Sequence, residues 1–193
     1  MLRTLFAGLA LASVLFVGRV TPASAGRPGK ASVAPVTKEL GGHRTRAEII
    51  VDASPQEVYE VITSYADWDE LLGDVASCKV KSGGRENATV QVRSRALGRK
   101  LTVTFDNIPD RLIRFRLTDG PRGARVHGSY RITPVGDGRS RITATLYLDV
   151  VGAAGLFVDE SDTRPMRQRK LRGELTDLAR YFDRNPGVRA AAR

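Results

Sequence analysis

Very few side chains are available for catalysis or metal binding. The chain has two histidines, His43 and His127, and one cysteine, Cys78. A structural or catalytic zinc site needs three or four nitrogen and sulfur donors at one point, announced by HExxH or paired-cysteine spacing. Neither spacing occurs and the histidines are unclustered in the sequence, so no metal and no cofactor is expected. Neither histidine has a recognisable nucleophile-elbow partner for a Ser-His-Asp relay. Glycine-rich nucleotide loops are absent too, and Ser82-Gly83-Gly84 reads as a turn. Acid–base work by paired carboxylates requires two buried acids, whereas Asp106 and Asp149 stand near strand ends, where solvent exposure is expected. A lone cysteine excludes an intramolecular disulfide, and Cys78, between Ser77 and Lys79 in a strand-like run, reads as a half-buried thiol.

What remains is apolar. The stretch ITSYADWDELL (62–72) holds Trp68, the only tryptophan, among Asp67, Asp69 and Glu70, with Leu71 and Leu72 behind it. Such a trio serves either as a gate or wall of a pocket, or as a plug at one end of the core. Tyr130 and Tyr147 belong to one strand pair and face opposite ways by parity. Tyr130 lies on the apolar side, either offering its hydroxyl to a carbonyl or quinone oxygen or resting at the rim of the core. Alternation turns His127 away from that side.

The elements that would position these residues follow from periodicity. RTRAEIIV (44–51) reads as a first strand. Ser54-Pro55-Gln56-Glu57 is a capping box with proline at the first helical position. Val58, Val61, Ile62 and Tyr65 then share one helical face. Asp67, with Glu70 three residues on, is expected to cap a second short helix that Gly73 ends in a left-handed conformation. From there the period becomes two. Strands are expected at 75–81, 86–94, 100–107, 111–118, 125–134 and 139–150, separated by Gly, Pro, Asn and Asp turns that favour antiparallel neighbours. Ile142, Ala144, Leu146, Leu148 and Val150 share one face, opposite Val126, Gly128, Tyr130 and Ile132. Residues 162–182 form a last, amphipathic helix with Leu171, Leu175, Leu178 and Phe182 on its apolar stripe. Arg169, Arg172, Glu174, Asp177 and Arg180 fall opposite, and Pro165 fits the first turn. The expected fold is α+β: a curved antiparallel sheet of about seven strands around a long C-terminal helix, with two short helices after the first strand.

The flanks read differently. Arg3, the run LFAGLALASVLFV and Ala23-Ser24-Ala25 make residues 1–25 a secretory signal peptide cleaved after Ala25; Arg19 keeps an uncleaved anchor as the alternative. The protein is accordingly expected in the periplasm or secreted. Residues 26–42, GRPGKASVAPVTKELGG, read as a flexible linker, 43–185 as the folded domain and 186–193 as a disordered Arg/Ala tail. The net charge is +10. In an exported protein this points away from nucleic acid and toward anionic lipid or cell-wall polymer, or marks only a solvated arginine-rich surface. Arg93, Arg95, Arg114, Arg116, Arg164, Arg167, Arg169 and Lys170 are the candidates for transient contact with an anionic membrane.

The opening IIVDASPQEVYEVITSYADWDELLGDV, the hairpin GSYRITPVGDGRSRITATLYLDV and the amphipathic last helix together resemble the START-like superfamily of polyketide cyclase/dehydrase and lipid-transport proteins, within it the branch of coenzyme-Q-binding and cyclase-like proteins. The resemblance covers about residues 43–182. It implies a helix-grip fold with an apolar cavity between sheet and helix, holding a lipid, quinone or polyketide-like molecule. Small residues on both walls, Gly128 and Ala144 on the sheet, Gly173 and Ala179 on the helix, agree with such a hollow unless larger neighbours fill it. The expected ligand-binding residues are Trp68, Leu71, Leu72, Phe105, Phe115, Tyr130, Ile132, Ala144, Leu146, Leu171, Leu175 and Leu178. Non-catalytic binding or transport of a hydrophobic small molecule is the expected function. The alternatives are an aromatase/cyclase-type enzyme and a partner-binding module with a filled core.

Overall fold

The computed structural model describes residues 34–136, 138–150 and 160–185. β1 (Val36–Gly41) and β2 (Arg44–Val51) lead into α1 (Pro55–Thr63), a single 3-10 turn (Tyr65–Asp67) and the short α2 (Trp68–Leu71). β3 (Val75–Gly83), β4 (Asn87–Ser94), β5 (Lys100–Ile108), β6 (Leu112–Asp119), β7 (Ala124–Pro134) and β8 (Ser140–Val150) follow, then α3 (Glu160–Arg184). All eight strands join one antiparallel sheet in the order β1-β2-β8-β7-β6-β5-β4-β3. The expected α+β class and helix-grip arrangement hold, with one strand more than expected. The addition is β1, which lies inside the stretch 26–42 read as a linker, so the folded domain begins before His43. The expected signal peptide (1–25) and tail (186–193) lie outside the described residues.

Local chemistry explains the first half. The Ser54 hydroxyl accepts the Glu57 N–H at 3.3 Å while the Glu57 carboxylate accepts the Ser54 N–H at 2.6 Å, the reciprocal cap the sequence announces. Val58, Val61, Ile62 and Tyr65 are all buried. At the far end of α1 the Trp68 indole N–H donates to the Ile62 carbonyl at 2.9 Å, satisfying one of the acceptors a helix leaves open in its last turn. Asp67 makes no side-chain cap, contrary to expectation. Gly73 is not left-handed either: Leu72 is already extended (φ −115°, ψ 116°), and the Gly73 N–H donates to Asp177 Oδ2 at 2.9 Å. A tertiary contact with α3 replaces the local stop.

The β7–β8 hairpin has the expected register, with Val126, Gly128, Tyr130 and Ile132 opposite Leu148, Leu146, Ala144 and Ile142. Gly136 (φ 87°) and Gly138 (φ 70°) take the left-handed conformations its turn requires. On the outer face His127 stacks on Tyr147 at 4.4 Å, and His43 meets the same ring at 6.2 Å. The two histidines therefore share a neighbour that their sequence separation conceals. Of the two acids expected in solvent, Asp106 is exposed and pairs with Arg114 at 2.9 Å, whereas Asp149 is 7% exposed.

The long helix α3 packs on β1, β2, β8 and α2. Leu171, Leu175, Leu178, Ala179 and Phe182 are its buried face. It starts earlier than expected, which puts Pro165 inside the helix rather than in its first turn. Arg167, expected on a basic surface, is wholly buried; its Nε donates to Thr45 at 2.9 Å, and its guanidinium also bonds Thr163 and pairs with Glu39 at 3.0 Å. That pair ties β1 to α3.

Candidate functional site

Ten positions expected to line a ligand cavity fall in one apolar cluster as fully buried residues: Trp68, Leu72, Phe105, Tyr130, Ile132, Ala144, Leu146, Leu171, Leu175 and Leu178. Leu71 and Phe115 are half-buried at its edge. Aromatic rings run through this interior, with Trp68 to Phe105 at 5.4 Å, Tyr65 to Phe105 at 4.5 Å, Phe105 to Phe115 at 6.4 Å and Phe115 to Tyr130 at 5.8 Å. Between gate and plug, the structure places Trp68 as a plug: it is 8% exposed and its N–H is committed to the backbone. The closed end is held by polar contacts. The Asn107 amide donates to the Tyr65 hydroxyl at 2.7 Å and also bonds the Arg85 carbonyl, and burial pushes the Tyr65 phenol up to about 12.

Two of the small residues expected to leave a hollow do not. A Cβ on Gly128 would lie 2.2 Å from the Thr145 carbonyl oxygen and 2.5 Å from the Phe115 ring, so the ring already occupies that space. Gly173 faces outward with nothing within 4 Å of its Cβ direction. Among the depressions of the described surface, one of about 530 Å³ lies between Pro55, Pro109, Ile132 and Pro134 and another of about 510 Å³ along Pro165, Arg169, Gly173 and Arg180. Neither is lined by α3 together with the inner face of the sheet.

A set of half-buried apolar residues lies at the other end of the strands. Leu71, Cys78, Val103, Phe115 and Val126 are half-buried against the core. Leu101, Leu117 and Leu148, half-buried as well, continue the same inward parity on β5, β6 and β8. Among the described residues α3 packs on β1, β2, β8 and α2, and α1 packs on β7; the strip itself lies on β5–β8. Burial pushes the Cys78 thiol up to about 11, with the Asp69 charge adding to the effect, so at neutral pH it is a protonated apolar wall residue. Val126 and Leu148 were placed on the apolar face by alternation. Their partial exposure was not legible, because it depends on where α3 lies.

A polar array borders this strip. The Tyr130 hydroxyl donates to Glu174 Oε2 at 2.8 Å; Lys170 Nζ lies 3.0 Å from Glu174 Oε1 and 2.9 Å from Asp74 Oδ2. Glu174 was expected on the solvent side of the helix, yet its side chain is only 12% exposed. Burial, the Glu174 charge and the hydrogen bond to it hold the Tyr130 phenol well above its ordinary range, so it keeps its proton. Burial alone would lower the Lys170 ammonium, but the Glu174 and Asp74 carboxylates outweigh it and raise the group above its usual value. Tyrosine, glutamate and lysine were each visible in the sequence; their meeting across 44 residues was not.

The expected basic patch is reduced and divided. Arg167 is buried and Lys170 is taken up by two carboxylates. Arg114 and Arg116 alternate away from the inward-facing Phe115 on β6, whereas Arg164 and Arg169 are exposed on α3, the helix packed on the inner face.

Known proteins agree with this architecture. A family model for polyketide cyclase / dehydrase and lipid transport matches residues 42–183. No curated protein matches the sequence. A START superfamily protein from Mycobacterium smegmatis is similar in structure at 13% identity, with a TM-score of 0.63 over 74% of this chain and 99% of its own. The Zhui aromatase/cyclase from a Streptomyces species is similar at 18% identity and a TM-score of 0.62, over 81% of this chain and 99% of its own. A fragment of a STAR-related lipid transfer protein from Xanthomonas axonopodis is similar at 14% identity and a TM-score of 0.58, over 80% of this chain and 96% of its own. At such identities the shared feature is the fold. With the match running from the β1–β2 turn to the last turn of α3, the chain belongs to the polyketide cyclase/dehydrase and lipid transport family, a START-like helix-grip protein.

Proposed function

We propose that the protein is an exported, non-catalytic carrier of a hydrophobic small molecule, a lipid, quinone or polyketide-like compound, taken up at the half-open end of the interior. The observation that carries this is the contiguous half-buried strip Leu101, Val103, Phe115, Leu117, Val126 and Leu148, beside Leu71 and Cys78. An apolar concave strip bordered by a few polar groups is the usual form of a small-molecule site. The ligand enters by displacing the Leu71 and Phe115 side chains and gains about 0.8 kcal/mol for each methylene withdrawn from water. Trp68 reports on this, since its ring contacts Phe105, the next aromatic inward from Phe115. Titration with a short-tailed ubiquinone is expected to quench Trp68 fluorescence saturably, and Val126→Asp to abolish the quenching with the far-UV circular dichroism unchanged. No quenching of the parent protein, with no small molecule seen by native mass spectrometry, overturns the reading.

Export rests on the signal-like first 25 residues, and the cleaved chain is expected to begin at Gly26 by intact mass; an exported chain retaining Met1 marks the uncleaved anchor, and a chain found only in the cytoplasm counts against export. The exposed arginines support transient binding to anionic vesicles, weakening with salt. Among the described residues no helix is long and apolar enough to cross a membrane.

An aromatase/cyclase-type enzyme is the second reading, favoured by the 2.8 Å Tyr130–Glu174 hydrogen bond beside the apolar strip. In that reading Tyr130, whose phenol burial and Glu174 hold above its ordinary range, would serve as a hydrogen-bond donor to a substrate oxygen and not as a base at neutral pH. Tyr130→Phe separates the two: a carrier keeps ligand binding, whereas an enzyme loses turnover.

A further inference from the structure

The outer face of the sheet, turned away from α3, is basic across its middle strands. Alternation sends every second side chain there, and strand pairing lines these up in rows across β2, β8, β7 and β6. Arg44, Tyr147, His127 and Arg116 make one row. Arg46, Thr145, Ser129 and Arg114 make the next, and Glu48, Thr143, Arg131 and Leu112 the third. Arg125, opposite Asp149, flanks the first row, and Arg141 flanks the third. All seven arginines are exposed, and they are set against Glu48, the buried Asp149 and Asp119 at the end of β6. Asp106 on the adjacent β5 engages Arg114 at 2.9 Å. Among the described residues the other six have no ion pair. In the first row His127 stacks on Tyr147 at 4.4 Å between Arg44 and Arg116. Burial, then the two arginine charges, hold the imidazole below its ordinary pKa, so at neutral pH this ring pair is an uncharged spacer between two cations.

The same face carries apolar side chains at one end. The third row continues to Val36 on β1 and to Ile108 on β5, and Ile50 lies opposite Arg141 just beyond it. Val36, Ile50 and Ile108 are exposed and Leu112 is half-buried. One exposed aliphatic side chain needs no explanation. Several of them interleaved with arginines match the composition of a membrane interface, where apolar groups enter the acyl boundary and cations meet headgroup phosphates. Two features favour a lipid surface over a linear polyanion. The arginines spread in two dimensions over four strands, whereas an extended polymer follows one row. The aliphatic side chains, moreover, have no counterpart on a phosphate or sulfate polymer.

We infer that the outer face of β2, β8, β7 and β6 docks on an anionic phospholipid bilayer, with Arg44, Arg46, Arg116 and Arg131 meeting headgroup phosphates and Ile50 and Ile108 entering the interface. The inference rests on the membrane-contact reading above and deepens it by assigning that contact to the sheet instead of the exposed arginines of α3. It requires no ligand in the interior.

The test is co-sedimentation of the chain from Gly26 onward, which holds every described residue and lacks the apolar run 5–17. The partners are vesicles of mixed phosphatidylglycerol and phosphatidylcholine, and of phosphatidylcholine alone. Binding is expected to the mixed vesicles only and to weaken with salt. Arg44→Gln with Arg116→Gln, and separately Arg46→Gln with Arg131→Gln, are each expected to weaken it about thirtyfold, the effect of two arginines near an anionic surface. Arg164→Gln with Arg169→Gln removes the same charge from α3 and is expected to stay within about threefold. Ile108→Ser, at constant charge, is expected to weaken binding about tenfold. All these side chains are exposed, and far-UV circular dichroism checks the fold of each variant. If the helix pair weakens binding as much as the sheet pairs, net charge alone is at work; the inference falls and membrane contact stands. If the sheet arginines bind poly-L-glutamate while the mixed vesicles stay bare, the face serves a linear polymer and the inference is overturned. No binding to mixed vesicles at low salt overturns membrane contact and the inference together, and leaves the carrier reading to its own titration.

Discussion

Single residues decide how much of the interior is closed. The Trp68 indole spans from the second short helix to the Ile62 carbonyl, so it is a fastener as well as filler. Trp68→Phe keeps an aromatic ring, leaves that carbonyl without its donor and opens a gap, and is expected to cost about 2–4 kcal/mol. The check is a lower urea midpoint at unchanged slope; an unchanged midpoint shows that the bond contributes nothing. Gly128 makes the opposite point. Its absent side chain is occupied by the Phe115 ring and by the Thr145 carbonyl, a backbone atom that cannot rotate aside. Gly128→Ala is expected to destabilise by about 1–3 kcal/mol or more. An alanine tolerated there without loss in thermal midpoint would mean that the β7–β8 backbone at Thr145 shifts as well as the Phe115 ring, and that the close approach contributes nothing to stability. Neither outcome was legible in the sequence, where Gly128 suggested a void and Trp68 fitted both gate and plug, with only a slight lean to the plug.

Among the elements, β1 shows why a strand can escape sequence reading. VTKELG has two large apolar residues, Val36 and Leu40, and both are exposed, at 67% and 41%. No hydrophobic alternation announces it. Its place comes from ladder hydrogen bonds to β2 and from the contact of Glu39 with Arg167, a residue 128 positions away. Partial burial would raise the Glu39 pKa, but hydrogen bonds from Thr45, Arg167 and Gln168 and the Arg167 charge outweigh it and hold the carboxyl below its ordinary value. A carboxyl depressed in the folded state contributes stability that is complete above its unfolded pKa and is lost as the pH falls through its folded one. Arg167→Met is therefore expected to cost about 3 kcal/mol at neutral pH. The gap from the parent protein should narrow as the pH drops below the ordinary glutamate range, because there the parent loses its own pair. Thermal midpoints across that range measure this, and hydrogen exchange should show β1 loosening first in the variant. A gap independent of pH would assign the loss to packing of the Arg167 stem.

At the scale of the molecule, the sheet is longer than one helix can cover. Among the described residues β1, β2 and β8 rest on α3, α1 packs on β7, and the 3-10 turn and α2 pack on β3, while the apolar strip at one end of β5–β8 is half-buried. A ligand bound there stabilises the folded state alone. Its presence at about a hundredfold over its dissociation constant is expected to add about 2.7 kcal/mol, rising logarithmically with concentration. The thermal midpoint should therefore climb with ubiquinone or methyl laurate in the parent protein and stay flat in Val126→Asp. A midpoint unmoved by either compound in both proteins would point to the filled-core alternative.

By itself the sequence determined what depends on neighbours a few residues apart: the capping box at Ser54, the hairpin register from Val126 to Leu148 with the inward faces of its two strands, and the apolar stripe of α3. Capping, turn chemistry and side-chain alternation act over a few residues, so each leaves its mark in local spacing. Only the tertiary structure decided which inward residues are covered, which charged residues are buried and which polar groups meet. Arg167 reads as a surface residue until β1 brings Glu39 to it, and Glu174 as a solvent residue until Tyr130 lies beneath it. Burial and pairing depend on the angle at which a helix crosses a curved sheet, a quantity summed over the whole chain and carried by no single stretch of it.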